Sequence, residues 1–269
     1  MSRSWRALRG PVLLAIAAAC SEVSHDPNAV LSLELVPAQL PSIVVGDSIH
    51  DTTGAVDSLR AVAFNAQGEP VPTAPIRYLS IAGRHLVSVD SVSGQVVGLK
   101  TVDTARDTLG GITSITTRAL IIAQVGKLQT VPDTIYVVEL PDSLVPLDST
   151  HYSLDYTRGS PQDTTLPLPV KLLHLPSDTV PHYRLEYAFT YPLPHDNTDP
   201  SKVQLVGLAG IPQLVDTTTL AGLSTLALRA TFFTDTVTDS LGVDVSAFTP
   251  EHVPVPGSPL HFVIQLHIH

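Results

Sequence analysis

The stretch HFVIQLHIH at the end of the chain carries three of its 11 histidines. His261, His267 and His269 share parity, so an extended strand sets them on one face, opposite Phe262, Ile264 and Leu266. His267 and His269, two residues apart, are spaced to share a metal ion in extended backbone. His261 stands about 20 Å from His267 along such a strand. A third ligand would therefore have to come from a neighbouring strand, and the sequence names none. The plainer reading is the wet face of a terminal strand, with no metal and no cofactor expected. The segment HDNTDPS (195–201) offers Asp196, Asn197 and Asp199 as oxygen donors. The same residues build Asx turns, in which a side-chain oxygen caps nearby backbone amides.

Other chemistry is sparse. No G-x-S-x-G elbow presents a serine nucleophile, no G-x-x-x-x-G-K cradles a phosphate, and no H-E-x-x-H holds zinc. The six glutamates are Glu22, Glu34, Glu69, Glu139, Glu186 and Glu251. Paired carboxylates need not be close in the chain, so a carboxylate-dependent hydrolase in the second half stays as the enzymatic alternative. The expectation is a protein that is not an enzyme.

The sole cysteine, Cys20, ends an apolar run. Arg3, Arg6 and Arg9 precede the stretch from Val12 to Ala19, and Ala17-Ala18-Ala19 lead into Cys20. A basic segment, a short apolar segment and small residues at the cleavage site make an export signal. The apolar part is too short to span a bilayer, which takes about 20 residues. With Cys20 directly after the small residues, residues 1–19 resemble the signal peptide of a bacterial lipoprotein. That resemblance implies lipidation of Cys20, which becomes the new amino terminus and anchors the chain to a membrane. Ser21, where an aspartate would retain such a protein at the inner membrane, implies the outer membrane.

Beyond the signal the composition is that of short strands: rich in Val, Thr, Leu and Ile, with 23 Pro and 16 Gly as punctuation. Only four lysines occur and the net charge is −10. No basic patch for nucleic acid can be assembled from these residues. Many aspartates are followed directly by Thr or Ser, among them Asp51, Asp90 and Asp133. Asp turns the chain by capping amides, and Thr begins the next strand.

Residues 20–29 read as an acylated tether. Residues 30–140 hold about eight short apolar runs between turn signals, the spacing of an immunoglobulin-like sandwich. They are VLSLELV (30–36), SIVVGDSI (42–49), LRAVAFN (59–65), IRYLS (76–80), LVSVD (86–90), QVVGL (95–99), ITSITTRALIIAQ (112–124) and TIYVVEL (134–140). Gly46-Asp47-Ser48, Gly68 with Val71, Tyr78, and Val87-x-Val89-Asp90 followed by Gly94 and Val96 carry a further likeness. This block resembles the bacterial immunoglobulin-like group 2 domain, with Tyr78 at the family's tryptophan. Residues 141–269 read as a second sandwich with six strands: 168–175, 184–191, 202–208, 224–233, 242–248 and 259–268. Proline-rich loops are expected at 161–169, 192–200 and 250–259.

The fold class expected is thus all-β, two immunoglobulin-like antiparallel β-sandwich domains after a lipoprotein signal peptide. The function expected is a membrane-anchored, non-catalytic envelope lipoprotein acting in adhesion, binding or spacing. The resemblance implies a protein or carbohydrate partner. The other alternative is a periplasmic structural subunit that pairs through an open strand edge.

Overall fold

The computed structural model describes residues 29–106, 112–157, 164–174, 178–190, 203–230 and 239–269. All regular structure among them is β. In the first half, SLELV alternates and forms β1 (Ser32–Val36), which pairs antiparallel with β3 (Arg60–Phe64). A second sheet runs β4 (Arg77–Ala82), β9 (Arg118–Val125), β11 (Asp133–Val138), β2 (Ser42–Val44), with β10 (Leu128–Gln129) folded back on β9. The hairpin of β5 (Val87–Val89) and β6 (Val96–Gly98) closes one side of the core. The run 112–124 divides at Thr117 into β8 (Ile112–Thr116) and β9, and β8 pairs with β7 (Asp103–Arg106). Leu35, Ile43, Tyr78, Val96, Ile121 and Ile135 meet in one buried cluster.

The turn between β5 and β6 shows how the sequence sets this hairpin. Asp90 caps the amides of Val92 and Ser93 at 2.9 and 2.7 Å. Those amides hold its carboxyl below the usual carboxylate range, the Ser93 amide most strongly. Gly94 then turns with φ +71°, where a Cβ would stand 2.6 Å from the Leu59 carbonyl and 3.0 Å from the Tyr78 ring. Glycine is required for both the backbone angle and the approach. Tyr78 itself is buried.

The second half forms two five-stranded sheets. One runs β12 (Ser143–Pro146), β14 (Thr164–His174), β19 (Leu223–Ala230), β17 (Val203–Val206), with β15 (Asp178–Thr179) on β14. The other runs β13 (His151–Tyr156), β21 (Leu260–Ile268), β20 (Asp239–Ser246), β16 (Arg184–Phe189), β18 (Val215–Thr217). Leu168, Leu172, Leu185, Leu226, Val243 and Phe262 fill the space between them.

Three features differ from the sequence reading. β7, β10, β12, β13, β15 and β18 were not predicted; apart from the six-residue β13, each has four residues or fewer. Pro167 and Pro169 sit inside β14 rather than in a loop. The Pro169 carbonyl accepts from the Leu147 amide, so both prolines turn their missing N–H away from β19 and leave that ladder whole. Two pairings are also parallel, not antiparallel: β2 on β11 and β13 on β21. In each sandwich the chain enters along one sheet, crosses, and runs beside its last strand. The two halves share this device without a visible sequence repeat.

Val96 is fully buried, whereas its partner Val89 is only partly so. Aspartate at 96 buries an unpaired charge and should cost about 3–5 kcal/mol, a large share of a domain's stability. Val89→Asp should cost clearly less. Urea unfolding of the two variants checks this order, and equal midpoints would contradict the hairpin's placement.

Candidate functional site

The side chains with the most organised surroundings lie where the two sandwiches meet. Along β2 and β11, Ile43 and Val137 point into the first core. Their neighbours Val44 and Val138 point the opposite way, into the apolar cluster of the second sandwich. The strand pair is thus buried on both faces, which is why SIVV and YVV read as unbroken apolar runs. Tyr136, two residues before Val138, lays its ring flat on that of His182, with centroids 3.5 Å apart and planes 10° apart. The link between the halves is held as well. The Asp142 amide donates to the Leu173 carbonyl at 2.9 Å, and His174 Nδ1 bonds the Leu140 carbonyl at 2.8 Å.

Two turns face each other across a cleft at this joint. In the first, Asp51 Oδ1 accepts from the Thr53 amide, the Thr53 hydroxyl and the Ala55 amide at 2.8, 2.7 and 3.0 Å. These bonds, the Thr53 hydroxyl first, hold the Asp51 carboxyl below its ordinary range. Buried His50 places Nδ1 3.0 Å from the Gly54 carbonyl and Nε2 3.2 Å from Asp47 Oδ1. In the second turn, the Thr249 amide donates to the Val253 carbonyl, and the His252 ring stacks on Phe248. Tyr183 donates its hydroxyl to the Phe248 carbonyl at 2.6 Å. Burial, with the nearby Glu251 and Asp47 carboxylates, pushes that phenol well above its usual range. The two turns touch at Gly54, whose φ is +86°. The cleft has about 50 Å³ of interior room. That suits a few waters, each needing about 10–15 Å³, and makes the cleft part of a joint.

A second feature is an apolar edge. Between β17 and β18 the chain crosses from one sheet of the second sandwich to the other through a tight turn. Gly207 and Ile211 bond each other there, and Val206 bridges Pro212. This stretch leaves Leu208 99% exposed, with Ile211 and Leu214 exposed beside it and Val215 and Leu220 exposed further along. Single exposed leucines are ordinary, but five large apolar side chains exposed within residues 208–220 make this stretch a candidate contact site.

The histidines singled out from the sequence do not converge. His261 pairs with Asp244 on β20 at 2.6 Å. His269 lies 3.4 Å from Asp155 on β13, and both are largely exposed. Among the described residues, no three metal-ligating side chains group closely enough to hold an ion. Phe262, Ile264 and Leu266 are buried and His261 and Gln265 exposed, as the alternation predicts. Cys20 and the 195–201 segment lie outside the described residues.

No protein-family model matches the chain, and no curated protein matches it. Among solved structures it is similar to repeats EC22–24 of mouse cadherin-23, at 12% identity and TM-score 0.28. A variant of titin domains I67–I69 follows at 7% identity and 0.26. Each alignment covers 90% of this chain and 65% of the other, so the chain spans about two thirds of their length. Drosophila N-cadherin EC1–3 aligns at 11% identity and 0.28, covering 89% and 68%. The chain's immunoglobulin-like, two-sandwich architecture is read from its own strand order.

The sequence reading missed the joint, because it is built from segments far apart in the chain. Its one local trace was Asp51-Thr-Thr-Gly54, a capped turn with no strand to cap. A Cβ at Gly54 would stand 2.8 Å from both the Glu251 carbonyl carbon and the His252 Cβ. Gly68 has a similar φ, +78°, with nothing within 4 Å. Gly54→Ala should therefore lower the melting temperature more than Gly68→Ala, which carries only the backbone strain of about 1 kcal/mol. Equal losses would mean that the turns do not touch.

Proposed function

We propose that this chain is a non-catalytic lipoprotein of the bacterial cell envelope that binds a partner through its second sandwich. Lipidated Cys20 holds it at a membrane, favoured as the outer membrane by Ser21. The first sandwich, in our reading a relative of the group 2 immunoglobulin-like domains, stands the second one off from the lipid. The observation that carries the binding role is the exposed apolar edge at Leu208, Ile211 and Leu214. Burying three such side chains in a contact contributes about 1.5–3 kcal/mol each before the costs of association. The partner is accordingly a protein with its own apolar surface.

The test uses cells carrying the wild type, Cys20→Ala, or the double variant Leu208→Asp with Ile211→Asp. Cys20→Ala should lose fatty-acid labelling and move to the soluble fraction. The double variant should stay lipidated and folded but lose crosslinks to envelope proteins that the wild type forms. Membrane retention of Cys20→Ala would contradict the anchor. Unchanged crosslinking of the double variant would contradict the contact.

A further inference from the structure

His182 is held in an unusual pose. Its backbone lies in the left-handed region at φ +55°, which non-glycine residues seldom adopt. Thr218, almost fully buried, clamps it there. The Thr218 carbonyl accepts from the His182 amide at 2.8 Å, and its hydroxyl accepts from the Tyr183 amide at 2.9 Å and donates to the Val180 carbonyl at 2.8 Å. The clamp aims the imidazole at Tyr136 of the other sandwich. Strained backbone that is held by specific bonds collects at functional positions, where strain is part of the device.

We propose that the Tyr136–His182 stack is an acid-released latch on the joint. Protonation of the ring by solvent detaches it from Tyr136 and loosens the joint around the 139–142 link, while Val44 and Val138 stay seated. The Tyr136 phenol from β11 stacks on the ring, while its own neighbour Tyr183 and Thr218 from the loop after β18 fix the backbone that carries it. Among the described residues no carboxylate stands against it to receive a charge. The titratable groups further round the joint are His50 with Asp47 and Asp51, His252 with Glu251, His174 with Asp142, and the Arg184–Glu186 pair.

The sign follows from burial, which lowers the pKa of His182 below its ordinary value. A group with a lowered basic pKa binds its proton less readily when docked than when released. Its contribution to docking is therefore complete above about pH 6.5, the free imidazole value, and is lost as pH falls through the lowered value.

Hydrogen exchange on the full-length chain reads the latch at pH 7.5 and 5.0, after correction for intrinsic rates. In the wild type, protection of segments 134–142 and 180–184 should be lower at pH 5.0 than at pH 7.5. His182→Phe keeps a flat ring that cannot take a proton, and its protection should be the same at both values. His182→Asn suits the left-handed backbone but lacks the ring, and should be weakly protected at both. Constant protection in the wild type would overturn the latch. So would a wild-type response in His182→Phe, which would transfer the pH dependence to His50, His174 or His252.

Discussion

The arrangement depends on one strand pair with two insides. β2 and β11 run parallel, with Val137 beside Ile43 and Val138 beside Val44. Because side chains alternate along a strand, one register serves both sandwiches: Ile43 and Val137 belong to the first core, Val44 and Val138 to the second. A slip of one residue would turn each set to the wrong core, so the register is specified twice. Interfaces between domains in one chain are often polar and loose. Here an extension of the second core crosses the boundary.

The rest of the joint follows from that contact. Once Val44 and Val138 are seated, the turn at 51–55 comes against the turn at 249–252, and only glycine fits at 54. Tyr136 shares the side of β11 that carries Val138, so it too faces the second sandwich and meets His182. His182 and His252 are the non-glycine residues with positive φ among those described, and both lie at this junction. The backbone strain is concentrated where the two halves are fitted together. The exposed apolar edge at Leu208 belongs to a crossing between the sheets of the second sandwich, apart from the residues that line the cleft.

Much of each sandwich was legible in the sequence because its signals are local. The alternation in Arg184–Phe189, with Leu185 and Tyr187 inward, is visible to a reader who knows only that strands have period two. The hairpin at Gly94 is equally local. The joint was not legible. SIVV and YVV read as strands, but nothing in them said that one face belonged to another core. The Tyr136–His182 and Gly54–His252 contacts join segments that no short-range pattern links. The prolines of β14 misled because a proline run normally ends a strand. Their shared parity, which keeps one ladder intact, becomes visible only when the neighbours are known. The histidines of β21 have strong local spacing, and among the described residues no third ligand joins them.

The two sandwiches are docked as one body through the Val44–Val138 pair and the turns around it. The single native cysteine makes a direct test simple. With Cys20→Ala as background, spin labels at Gln67→Cys and Ser153→Cys report the distance between an exposed turn of the first sandwich and an exposed strand of the second. Electron–electron resonance at pH 7.5 should give one narrow distance distribution, which broadens when Val44→Asp and Val138→Asp are added. A broad distribution in the background chain, unchanged by those substitutions, would contradict the docked joint.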